Sequence, residues 1–175
     1  MNKYLLTFLF LLHAPLVSAD SYTDAWKEYY SQNYHYAMQV FSELANQGNI
    51  YCQAIVGVYH AAKFKYIDEK EPDPYEPSIV LAEITKKHKS GDIEATFLLA
   101  LMHDEGWAAN QDKPLSKRLY IQASEAGHTA AQTHLAEYYE LGIAGDKDIE
   151  SAIYWYKKAS EGGSVFSKVM IKQLQ

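Results

Sequence analysis

Cysteine is almost absent: Cys52 is the only one, so no disulfide can form within the chain and stability has to come from packing. Its expected role is that of a small buried thiol. Arginine is equally scarce, with Arg118 alone, and the formal net charge is −6, which argues against recognition of a phosphate backbone and so against a nucleic-acid partner. No apolar run reaches the roughly 20 residues that a membrane-spanning helix needs. Motifs of catalysis are missing too. There is no Gly-x-Ser-x-Gly elbow, no phosphate-cradling loop, and no His paired with a second His or Cys at metal-ligand spacing, so no cofactor or metal is expected.

What is present begins with an address. Lys3 gives a short basic start, Tyr4 to Leu12 form an uncharged apolar run, and Pro15 is followed by Val17-Ser18-Ala19, with small residues at the last and third-last positions. This pattern predicts a signal peptide over residues 1–19, cleaved after Ala19, and a periplasmic or secreted mature protein. The next residue is Asp20 and not Cys, so no lipid anchor or stable membrane insertion is expected. The remainder is long enough for one domain with a continuous core.

The dominant feature is an internal repeat. Ala95, Leu99, Gly106, Asp112, Tyr120, Ala123, Glu125 and Gly127 recur 36 residues later as Ala131, Leu135, Gly142, Asp148, Tyr156, Ala159, Glu161 and Gly163. A third step reaches Ser167 and Ile171 in a truncated terminal helix over 167–175. Reading backwards, Gly48 and Gly91 take the place of Gly127, but Cys52 and Ala95 are 43 residues apart. The excess falls between Lys63 and Pro77, where Asp68 to Pro77 is too charged and proline-rich for a helix interior and is expected to be an inserted surface loop. The units are therefore a cap or partial repeat over about 24–51, a repeat with the insertion over about 52–94, and repeats over 95–130 and 131–166.

Each unit specifies two antiparallel helices. Ala131, Leu135 and Tyr139 share one helical face, and Gly142 ends that helix. Asp148 is a good N-cap for a second helix carrying Ala152, Trp155, Tyr156 and Ala159. Gly163 supplies the left-handed residue that reverses the chain. The residue after this glycine is Asn49, Asp92, His128 or Ser164, of which three are recognised cap residues. One hairpin cannot bury its apolar face alone, so the hairpins stack. The fold class is all-α, an α-solenoid of antiparallel helix pairs forming a right-handed superhelix with a concave side.

The stretches Ala131 to Gly142 and Ala152 to Gly163 resemble the Sel-one-like repeat, a relative of the tetratricopeptide repeat, and the resemblance covers nearly all of residues 25 to 175, strongly in the copies starting at Ala95 and Ala131 and more weakly in the copy at Cys52. It departs from the pattern at Glu83, which stands where Trp155 does in the last copy, and at Ala25 to Gly48, whose short loop Ser31 to Tyr34 is closer to a tetratricopeptide unit. The resemblance implies a non-catalytic adaptor that binds a protein or peptide, often in the bacterial envelope, without specifying which. An immunity-type inhibitor of a toxic periplasmic enzyme is the alternative, and a cell-wall or β-lactam-active enzyme a more distant one. Some secreted relatives brace each hairpin with cysteines that are missing here, so β-lactam binding does not carry over.

Partner contacts are expected outside the repeat core. His60, His103, Asp104, Tyr138 and Glu140 fall at the ends of first helices, and Tyr66 and Tyr75 in the inserted loop. His103-Asp104-Glu105 point about 100° apart on a helix and do not converge on one ion. Of the 15 tyrosines, Tyr120, Tyr139 and Tyr156 are core positions of the repeat. Tyr22, Tyr29, Tyr30, Tyr34 and Tyr36 are not fixed by it. Lys86-Lys87-His88-Lys89 suits the C-terminal end of a helix and is read as a solvated face. Oligomeric state is not legible.

Overall fold

The computed structural model describes residues 19–64 and 72–175. All but the last residue of the predicted leader (1–19) and part of the insertion, including Tyr66, lie outside the described residues. Nine helices and no strands occur among the described residues: α1 (Ala19–Tyr30), α2 (Tyr34–Asn46), α3 (Ile50–Phe64), α4 (Pro77–Lys89), α5 (Ile93–Glu105), α6 (Lys113–Glu125), α7 (Thr129–Leu141), α8 (Ile149–Glu161) and α9 (Val165–Leu174). Consecutive helices pack as antiparallel hairpins, α3 also packs on α5, and the whole is an α-solenoid. No helix of the described residues is long and apolar enough to cross a membrane.

The repeat signals act at the helix ends as their chemistry requires. Asp112 and Asp148 accept from the backbone N–H three residues on, 2.9 and 3.0 Å away, and start α6 and α8. Gly106 and Gly142 end α5 and α7 with φ of 75° and 72°, a conformation that costs a side chain bearing Cβ about 1–2 kcal/mol. All four residues after the reversing glycine are caps, one more than expected. His128 Nδ1 accepts from the Ala131 N–H at 3.2 Å, as Asn49, Asp92 and Ser164 do for their helices.

Small residues set the helix spacing. Ala37, Ala95, Ala123, Ala131, Ala152 and Ala159 are fully buried, and Phe41, Leu98, Tyr120, Leu135 and Tyr156 fill the space between helices. The closest approach is Gly57 of α3 under the Trp107 ring, where a Cβ would lie 2.1 Å from the indole. Trp107 in turn donates its indole N–H to Asp73 at 3.1 Å, which ties the end of the insertion to the loop after α5.

The helix that departs from a simple stack is α1. Tyr22, Trp26, Tyr29 and Tyr30 recur at three- and four-residue spacing, so α1 presents an aromatic face. That face reaches past its neighbours: Trp26 meets Phe97 of α5 at 5.9 Å and the cap residue His128 of α7 at 6.3 Å. Phe97 is consequently 1% exposed, and Ala95 to Ala100 form an unbroken buried run on α5. Only the first helices of hairpins, on the inner side of a curved stack, can meet across two repeats. The inner face at α5 is thus covered by the chain itself.

Candidate functional site

On the inner side a polar relay fastens α1 to the two repeats. The Tyr22 hydroxyl donates to one oxygen of Glu94, and His128 Nε2 donates to the other at 3.0 Å. Because His128 Nδ1 already accepts from Ala131, its proton belongs on Nε2, which fixes the tautomer. Burial, then the charge of Glu94, pushes the Tyr22 and Tyr30 hydroxyls well above the usual phenol range.

Past this relay the inner face opens into a pocket of about 100 Å³. Tyr29, Tyr30 and Tyr34, at the corner between α1 and α2, form one wall. Thr133, His134 and Glu137 of α7 form the other, and Phe166 of α9 closes the end. The corner is tight because Asn33 follows Gln32, which has φ of 67°, and this brings the Tyr29 and Tyr34 rings to 5.1 Å at 71°. His134 lies stacked on Tyr120 at 5.3 Å and 8°, and its Nδ1 is 3.3 Å from Glu137. Burial works to lower the His134 pKa, but Glu137, by hydrogen bond and charge, with Asp104 and Glu105 behind it, holds it above the ordinary imidazole value. Burial, then the neighbouring Tyr34 and Glu137, pushes the Tyr29 hydroxyl up to about 12.

The described residues among those expected from sequence to meet a partner are not assembled into one surface. Asp104 is 6% exposed and Tyr138 2%. Tyr138 donates to Asp104 at 2.5 Å, Tyr120 donates at 3.0 Å, and Lys113 completes the knot as an ion pair. Asp104 and Tyr138 are therefore internal residues that join two repeats, which corrects their reading as contact residues. Glu140, half-buried, accepts from Tyr156 at 2.7 Å and so repeats the Asp104–Tyr120 bond one unit on. Burial first, then these carboxylates, pushes the Tyr120, Tyr138 and Tyr156 hydroxyls far up. His103 Nδ1 is 3.2 Å from the Asn110 carbonyl, within its own interhelix loop. His60 Nδ1 lies 3.8 Å from Asp73, and Tyr75 donates to Asn46 at 3.1 Å, so both help anchor the described end of the insertion.

The pocket residues were flagged in sequence only through the N-terminal tyrosines. His134, Glu137 and Phe166 carry no motif, and their convergence with Tyr34 depends on α1 crossing the repeats. No group of three or more His, Cys, Asp or Glu suited to a metal occurs among the described residues. Cys52 is buried, and desolvation followed by Glu94 pushes its thiol up to about 12, so it stays protonated and is a poor nucleophile.

Comparison with known proteins agrees with the architecture. No curated protein matches the chain. Among solved structures it is similar to a protective antigen present in uropathogenic Escherichia coli strains that displays an SLR fold, with 27% identity over 85% of this chain and a TM-score of 0.54. The chain spans 32% of that antigen. It is also similar to a Sel1 repeat protein from Oxalobacter formigenes, with 26% identity over 76% of this chain and 95% of that one, at a TM-score of 0.53. The Sel1 repeat family model matches residues 93–128 and 129–164, the hairpins α5–α6 and α7–α8. Sel1 repeat proteins generally mediate protein–protein interaction. The chain contains two consecutive Sel1 repeats, residues 93–128 and 129–164, in the second half of its helical solenoid.

Proposed function

We propose that this chain is a non-catalytic binding module of the bacterial envelope, exported by its N-terminal leader, that holds a segment of a protein partner on its inner face. The observation that supports this most is the pocket between the α1–α2 corner and α7: it is open, aromatic-walled and not required by the repeat. Tyr34 at its rim is 43% exposed, as an interface tyrosine awaiting a partner is. The covered stretch at α5 directs a partner away from the centre of the inner face and toward this pocket. The insertion between α3 and α4, which carries Tyr66, is the second contact region in this reading, since loops on a rigid scaffold commonly carry specificity.

Capture from envelope extracts of the exporting cell tests the proposal. The mature chain is expected to retain a polypeptide partner that Tyr34→Ala loses, while a substitution at exposed Lys157 on α8 leaves capture intact. Equal capture by both variants, or no polypeptide partner for the native chain, overturns it. Export is tested by fractionation and N-terminal sequencing, with Asp20 expected as the first residue of the mature protein and a cytoplasmic, unprocessed chain as the contrary result.

A further inference from the structure

We infer that the inner-face pocket is a cage for a cationic side chain, lysine or arginine, presented by the bound polypeptide. The identity of the occupant rests on the protein-binding reading; the chemistry of the cage rests on the pocket alone. Tyr29 and Tyr34 meet edge to face, so their rings form two walls at an angle instead of one stacked pair. Aromatic faces carry negative potential and attract an ammonium or guanidinium group within about 6 Å of the ring centre. Tyr30 and Phe166 extend the aromatic lining.

Glu137 adds a carboxylate to that lining, paired on one side with His134. Its carboxylate is close enough to act on the hydroxyls of both Tyr29 and Tyr34, on opposite sides of the α1–α2 corner. No lysine or arginine lines the pocket, and Glu137 shares its charge there with His134. An anion would face a carboxylate and the negative faces of the rings. A purely apolar group would strip water from that carboxylate and from phenol hydroxyls without replacing the hydrogen bonds. A cation satisfies both kinds of wall. The size agrees: a cavity of about 100 Å³ admits the end of a side chain.

The test uses the mature chain and small probes. Butylammonium and propylguanidinium stand for the two side chains, with butanol as the neutral control and butyrate as the anionic one. The imidazole resonances of His134 and the ring resonances of Tyr34 report occupancy by NMR. The cations are expected to bind saturably and roughly five-fold more tightly than butanol or butyrate, and Glu137→Gln and Tyr34→Ala to lose roughly that factor. Tyr34 is an exposed first residue of α2, so its removal leaves the fold intact and keeps the test valid if Glu137→Gln proves unstable. Butanol binding as well as butylammonium, or cation binding unchanged in Tyr34→Ala, overturns the cage and leaves partner capture to decide the protein-binding reading. A partner captured equally by the native chain and by a folded Glu137→Gln also overturns the cage, while that reading stands. Cation selection together with partner capture lost in Glu137→Gln supports both.

Discussion

Asp104 and Glu140 occupy the same place in successive repeats, and each accepts the hydroxyl of a tyrosine sixteen residues on. Their surroundings differ. Asp104 is buried beneath Tyr138 and paired with Lys113, whereas Glu140 remains half-exposed. Asp104→Ala removes one partner of a buried pair and leaves two tyrosine hydroxyls without an acceptor, so it is expected to destabilise by about 3 kcal/mol. Tyr156→Phe, which breaks one hydrogen bond and keeps the ring, is expected to cost about 1 kcal/mol. Urea unfolding of the two variants checks the order as well as the sizes. An acidic residue at a helix end reads as solvated in a sequence, because its burial here comes from a side chain of the next repeat. His134 carries the pH dependence at this scale. Its folded pKa is raised, so the stability its protonated form contributes is fully present below the unfolded value of about 6.5 and is lost as pH rises through the higher folded value. The melting-temperature difference between the native chain and His134→Gln should therefore be fully present below about pH 6.5 and shrink as pH rises above it, and a constant difference would contradict the assignment.

Helix ends and helix faces were legible to different degrees. The hairpins over 93–164 could be read directly, because glycine, aspartate and alanine recur every 36 residues at positions where backbone geometry admits little else. The fourth cap, His128, could not, since a neutral imidazole caps through Nδ1 only as the tautomer protonated on Nε2, and the group that favours this tautomer is Glu94 on a different helix. His128→Asn keeps a cap for α7 and loses the bond to Glu94, while His128→Ala loses both and should be less stable than His128→Asn by about 1 kcal/mol. The crossing of α1 over α5 was equally hidden: its aromatic spacing declares a buried face but not what buries it. Trp26→Ala should detach this helix at a cost of about 3–5 kcal/mol, with faster amide exchange along α1 and α5 than along α8.

At the scale of the molecule, one hydrophobic cluster runs from α1 to α7, and a smaller one formed by Ala136, Ala152 and Tyr156 carries on to α9. Tyr139 and Trp155 touch both, so the repeats are joined through side chains at their boundary. In an open solenoid each unit contacts only its neighbours. Here α1 bridges from the first hairpin to the third and fourth, which ties part of a linear stack across the repeats and leaves an aromatic, acidic opening beside α7. That opening, where a partner segment is proposed to bind, is tested most directly by a photo-cross-linking residue placed at Tyr34 and, separately, at Lys157 in the cell that makes the protein. The expected result is a covalent adduct with another polypeptide from position 34 and none from position 157. Adducts from position 157 with none from position 34 would contradict it.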